Sequence, residues 1–96
     1  MSDTLTPEAR LIVLRELAQQ GDGRSNDLVL ARVLDTHGVS RSREWLRTQL
    51  RALAEVGAIS VREVGSIMVA ELKRLGRDHV ERRGTIDGVA RPADAE

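Results

Sequence analysis

Apolar positions in the first third of the chain recur with helical spacing. Leu11, Leu14, Leu17 and Ala18 fall on one face of a helix. Thr6 suits its N-cap, Pro7 its first position and Glu8 the positive end of its dipole, and Gly21 offers a stop. Ile12 and Val13 lie off that stripe, the pattern of a helix sandwiched inside the domain or against a second subunit. The stretch 21–27, GDGRSND, reads as a loop leading to an N-cap at Ser25 or Asn26. A calcium loop beginning at Asp22 is excluded, because Arg24 stands at its third position and Val33 at its twelfth. A second helix carries Leu30, Val33 and Leu34 on one face and stops at Gly38. His37, in its last turn, is placed to cap free carbonyls.

Residues 40–57, SRSREWLRTQLRALAEVG, predict a third helix over 40–56, capped by Ser40 and stopped by Gly57. Leu46, Leu50 and Leu53 form a single buried stripe with Ala54 beside it. A turn of about 100° per residue puts Arg41, Glu44, Thr48 and Arg51 on the opposite face. Arg47 falls at its margin, and Arg43 near the buried side in the first turn. Trp45 lies at the flank of the stripe, which suits a half-buried plug or a subunit contact better than stacking on a base. Ile59, Val61, Ile67 and Val69 then alternate with polar or small residues, and the short break at Gly65 predicts an antiparallel hairpin with Ile59 and Val69 in the core. Residues 72–83 return to a helical pattern, with Leu72, Leu75, His79 and Val80 on one side. Gly76 within it costs roughly 1 kcal/mol of helix propensity. Residues 1–83 thus read as one folded domain and 84–96 as a tail with little to bury, partly disordered.

Composition sharpens this picture. Ninety-six residues, 41% hydrophobic and 31% charged, suit a single globular domain. Trp45 is the only aromatic residue, so Leu, Ile, Val, Ala and two Met must fill the core. The absence of cysteine excludes a disulfide scaffold, a thiolate zinc site and a cysteine nucleophile. No apolar run reaches the ~18–20 residues of a membrane span and no secretion signal opens the chain, so a cytoplasmic protein is expected.

Net charge is zero, but its distribution is uneven. Residues 1–40 carry four Arg against six acids, residues 41–83 ten Arg and Lys against six, and residues 84–96 one Arg against three. A basic middle between acidic ends can present a local anion-binding face. Fourteen of the fifteen cations are Arg, the side chain suited to bidentate contacts with phosphate and guanine. Nothing points to an enzyme: there is no GxSxG elbow, no phosphate loop and no HExxH. His79 with Asp78 and Glu81 lacks the converging geometry of a metal site. No cofactor is expected.

The order helix, helix, helix, hairpin, helix gives an α+β, mainly α fold. Within it the second and third helices form a helix-turn-helix, and the hairpin around 60–70 stands where a wing would. Such a helix fits the major groove, which is ~12 Å wide. Arg41, Arg43, Arg47, Thr48 and Arg51 are the residues expected to meet double-stranded DNA there, with Arg62 at the hairpin base touching phosphate. Arg43, Arg47 and Arg51 also form an i, i+4 basic edge. A homodimer is expected on a palindromic site, paired through Ile12, Val13 and the region of Val80. The alternatives are a module that binds a partner protein and a DNA-binding accessory factor without sequence preference.

Four segments carry a family resemblance: RLIVLRELA (10–18), VSRSREWLRTQLRALAEVGAI (39–59), VREVGSIMVAEL (61–72) and LGRDHVERRGTIDGVARP (75–92). They resemble the small winged-helix proteins of Mu-like transposable phages and prophages, often labelled ArsR-type regulators for their fold. The last segment is the most specific, since a Gly-rich stretch ending in Val-x-Arg-Pro is not a general winged-helix feature. The resemblance implies a winged helix and a phage-encoded DNA-binding or regulatory role. It implies no metal sensing, because the thiols of metal-sensing ArsR proteins are missing here.

Overall fold

Residues 4–93 are described by a computed structural model. They form α1 (Thr6–Gln19), β1 (Arg24–Asn26), α2 (Asp27–Thr36), α3 (Arg43–Glu55), β2 (Ile59–Val64), β3 (Ile67–Leu72) and α4 (Arg74–Val80). The fold is α+β, four helices around an antiparallel three-stranded sheet of order β1-β3-β2. Among the described residues no helix is long and apolar enough to cross a membrane.

The helices α1, α2 and α3 bury the leucines their sequences mark. Leu11, Leu14 and Leu17 of α1, Leu30 and Leu34 of α2, and Leu46, Leu50 and Leu53 of α3 meet in one core. Val13 joins them at 1% exposure, so it is a core residue and not the dimer surface expected of it. Ile12 and Val80 are half-buried. The helix starts differ from expectation. Leu5 precedes α1 without a side-chain cap, so Thr6 is already helical. Ser42, not Ser40, caps α3 by accepting the Trp45 N–H at 3.0 Å, and Ser40 instead donates to Asp35. Gly38 ends the α2 turn at φ +82°, and the His37 ring meets the Val33 carbonyl at 2.9 Å, the capping role its position suggested.

The hairpin closes through a two-residue turn, Gly65–Ser66, with Val64 paired to Ile67. A positive φ at Gly65 followed by an ordinary one at Ser66 fits the II′ pattern favoured by strand twist. This register puts Met68, Ala70 and Leu72 on the same face as Ile59 and Val61. Met68 and Ala70 are buried, while Val69 is only half-buried on the outer face, opposite Arg62. The expected burial of Val69 is therefore corrected by one residue of register. The three-residue β1, which apolar alternation does not reveal, adds to the free edge of β3.

Two further corrections concern the C-terminal region. Leu75 is exposed and Gly76 is buried instead. A Cβ at residue 76 would sit 2.5 Å from the Ala58 carbonyl oxygen, so glycine is what lets α4 lie against the start of β2. Residues 84–93 do bury side chains: Ile86 and Val89 enter the core, and the Ala90 N–H bonds the Pro7 carbonyl at 3.0 Å. Buried His79 organises this segment. The Ile86 N–H can only donate, so Nδ1 accepts it at 3.0 Å, and Nε2 carries the proton it gives to the Ala90 carbonyl at 2.8 Å. Residues 94–96, the end of the expected tail, lie outside the described residues.

Candidate nucleic-acid interface

The junction of α2, α3 and the hairpin turn is organised by a buried carboxylate. Asn26 caps α2 by accepting the Val29 N–H at 3.0 Å, and Asp27, the first helical residue, turns inward with no exposed surface. Its Oδ1 accepts the Met68 N–H of β3 at 3.0 Å. Its Oδ2 accepts the Nε of Arg43 and the Nε of Arg47, each at 2.8 Å. One turn apart on α3, the two guanidiniums reach the same atom. Each also donates through Nη2 to the Ser66 carbonyl of the hairpin turn, Arg47 at 2.7 Å. Burial alone would raise the Asp27 pKa. The hydrogen bonds from Arg43, Arg47 and the Met68 amide, together with the Arg43 charge, outweigh it and hold the carboxyl at about 2 instead of 3.8. Arg47 is pushed up in return, chiefly by its bond to Asp27, with Glu44 and Glu63 adding to the field.

The outer face of α3 is built differently. Arg41 precedes the helix and lies over the half-buried Trp45 ring, 5.7 Å from its centroid, an arrangement that holds both side chains by cation–π attraction. Thr48 is exposed and back-bonds to the Glu44 carbonyl at 3.1 Å. Arg51, one turn on, is exposed. Arg62 is exposed on the outer face of the sheet, where it stands opposite Val69. The six candidate residues thus divide. Arg41, Thr48, Arg51 and Arg62 face solvent, whereas Arg43 and Arg47 tie α3 to α2 and the hairpin. Loss of Arg47 would strip a buried carboxylate of one of its partners, so this side chain serves the fold.

Over 92 residues the chain is 34% identical to protein gp26 of Escherichia phage Mu, described as an uncharacterized protein, and the match covers 96% of this chain and 95% of that one. The chain belongs to this Mu phage protein family. No protein-family model matches the chain, and no solved structure matches it significantly.

For this Mu-family protein the sequence identified the exposed cations but missed Asp27 and the Ser66 carbonyl. A signal was present. Arg43 and Arg47 are spaced i, i+4 beside the buried stripe of α3, a position where a cation needs an internal acid. Asp27 directly follows the residue that caps α2, so its own side chain is not needed for capping. What the spacing could not supply is the 16-residue and 20-residue separation over which the pairs close.

Proposed function

We propose that this Mu-family protein is a winged helix-turn-helix DNA-binding protein, a transcriptional regulator of a Mu-like phage or prophage. In this reading α3 enters the major groove, the β2–β3 hairpin is the wing, and no catalytic chemistry is assigned. The observation that carries it is the attachment of the hairpin turn to α3. With the Ser66 carbonyl held by Arg43 and Arg47, the hairpin tip stands beside the N-terminal half of the helix, as a wing stands beside a reading helix. Arg41, Thr48 and Arg51 on or beside α3, and Arg62 on the hairpin, are the exposed groups assigned to DNA. A homodimer would double these few contacts on a palindrome, with half-buried Ile12 and Val80 the apolar positions left for pairing.

One observation favours a second reading, capture of a host or phage protein. Leu28 and Val29 at the start of α2 are 45% and 38% exposed, and Glu44 and Glu55 share the outward side of α3 with its cations. Titration against duplexes from the phage's intergenic regions, with scrambled duplexes as controls and several salt concentrations, separates the readings. Regulator function predicts a preferred duplex and salt-sensitive affinity. Equal affinity for every duplex indicates the accessory role, and no binding to any duplex leaves the protein-partner reading.

A further inference from the structure

The hairpin tip has almost nothing to hold it by packing. Val64, Gly65 and Ser66 are all exposed, and Val64 is 48% so. Beyond the strand ladder and the buried Met68 side chain, the side-chain hydrogen bonds that reach this end of the hairpin among the described residues converge on one carboxylate. Asp27 takes the Met68 N–H directly and takes the turn indirectly, through two arginines that share its Oδ2 and share the Ser66 carbonyl. A buried ion pair adds little stability compared with apolar groups of the same shape, and its best attested use is to select one arrangement. Here the arrangement selected is the angle between hairpin and helix.

We infer that Asp27 is a positioning residue that locks the hairpin turn to α3 through Arg43 and Arg47, so that wing and helix act as one preformed reading surface. Its bearing on DNA rests on the function proposed above; the lock itself does not. A preformed surface avoids the ordering cost that a mobile wing would incur on binding. Asparagine cannot replace Asp27. One of its two terminal atoms becomes an NH2, which at Oδ2 would face two N–H donors and at Oδ1 a third. Lysine cannot replace Arg47, because a single ammonium on a flexible stem does not reproduce a planar fork held between a carboxylate and a carbonyl. Lysine does keep the charge, and that separates positioning from simple attraction to phosphate.

The test compares wild type, Asp27→Asn, Arg47→Lys and Arg43→Gln, the last removing only the more exposed arm in case the others fail to fold. Amide hydrogen exchange without DNA reads the lock. In each folded variant the Ile67 and Met68 amides, held by the Val64 pairing and by Asp27, should exchange about tenfold faster or more, while those of α1 stay protected. DNA affinity is then measured with and without Arg62→Ala. If the lock presents the wing, Arg62→Ala should cost several-fold less affinity in the Arg47→Lys background than in wild type. Unchanged exchange at the turn in folded variants would overturn the inference, as would full retention of the Arg62 effect by Arg47→Lys. Faster exchange at the turn, combined with no DNA binding by wild type, would uphold the lock and refute the DNA reading.

Discussion

Replacing Gly76 with alanine should destabilise the protein, although alanine is the better helix former. The substitution removes a glycine from a helix interior, which by itself gains ~0.5–1 kcal/mol. Opposing it, the new methyl lands 2.5 Å from the Ala58 oxygen and 2.8 Å from Leu72 Cδ1. The leucine methyl can rotate away. The carbonyl cannot, because it also accepts the Lys73 N–H at 3.0 Å and so holds the start of α4. Ordinary contact for such atoms begins at roughly 3.4 Å, so α4 has to retreat by most of an ångström. Overpacking of that order costs ~1–3 kcal/mol. The net loss is ~1–2 kcal/mol, a drop in Tm of roughly 5–10 °C for a domain of this size. Thermal melts followed by far-UV circular dichroism measure it directly. Gly21→Ala is the control: a Cβ there meets nothing within 4 Å and its φ is ordinary, so Tm should move little. A Gly76→Ala protein as stable as wild type would refute the close packing of α4 on Ala58.

Other outcomes follow from the same geometry. Asp27 has a folded pKa of about 2, below its ordinary 3.8, so its contribution to stability is complete above the unfolded value and is lost as pH falls through the folded one. Urea melts between about pH 5 and pH 2 should show wild type losing ~2 kcal/mol more than Asp27→Asn over that window, and parallel losses would contradict the lowered pKa. His79→Ala removes both ring hydrogen bonds to the C-terminal segment and leaves the Ile86 amide without its acceptor. It should cost ~2–4 kcal/mol and speed exchange of the Ile86 and Ala90 amides. Ile86→Ala should cost ~2–4 kcal/mol, because this side chain is 6% exposed; a surface-like value below ~0.5 kcal/mol would mean the segment is not packed.

What the sequence could reveal depended on the range of the interaction. The α3 stripe of Leu46, Leu50 and Leu53 was legible because helical periodicity is local and the residues between are polar. The face of β3 was misread, because Ile67, Met68, Val69 and Ala70 are all apolar, and the alternation that favoured Ile67 and Val69 set aside Met68, the residue that is buried. The register came from the turn instead, through Val64 and Ile67. The strand β1, Arg-Ser-Asn, exists only because β3 offers it an edge, and no propensity marks it. Gly76 read as a helix-weakening residue, whereas a backbone oxygen from another element requires it. Ile86 and Val89 are isolated apolar residues among Gly and polar neighbours, so their burial depends on Pro7, far away in the chain, and on the orientation of the His79 ring. At the candidate interface, exposed cations on α3 could be placed by rotation alone. The two that turn to Asp27 could not, since a helical wheel places side chains on a face and says nothing of their partners.

The most direct test of the DNA reading is the salt dependence of duplex binding in wild type and in single-cation variants. Affinity for the preferred phage duplex should fall steeply with salt. Arg51→Ala and Arg62→Ala should each flatten the slope of log affinity against log salt by about one unit where the side chain meets a phosphate. If Arg51 reads a guanine, its loss should instead cost ~1–3 kcal/mol on that duplex and relax preference at one position. Arg15→Ala, an exposed cation on α1, should leave both slope and affinity unchanged. Wild type that binds no phage duplex, or binds one with a slope and affinity indifferent to Arg51 and Arg62, would contradict the account.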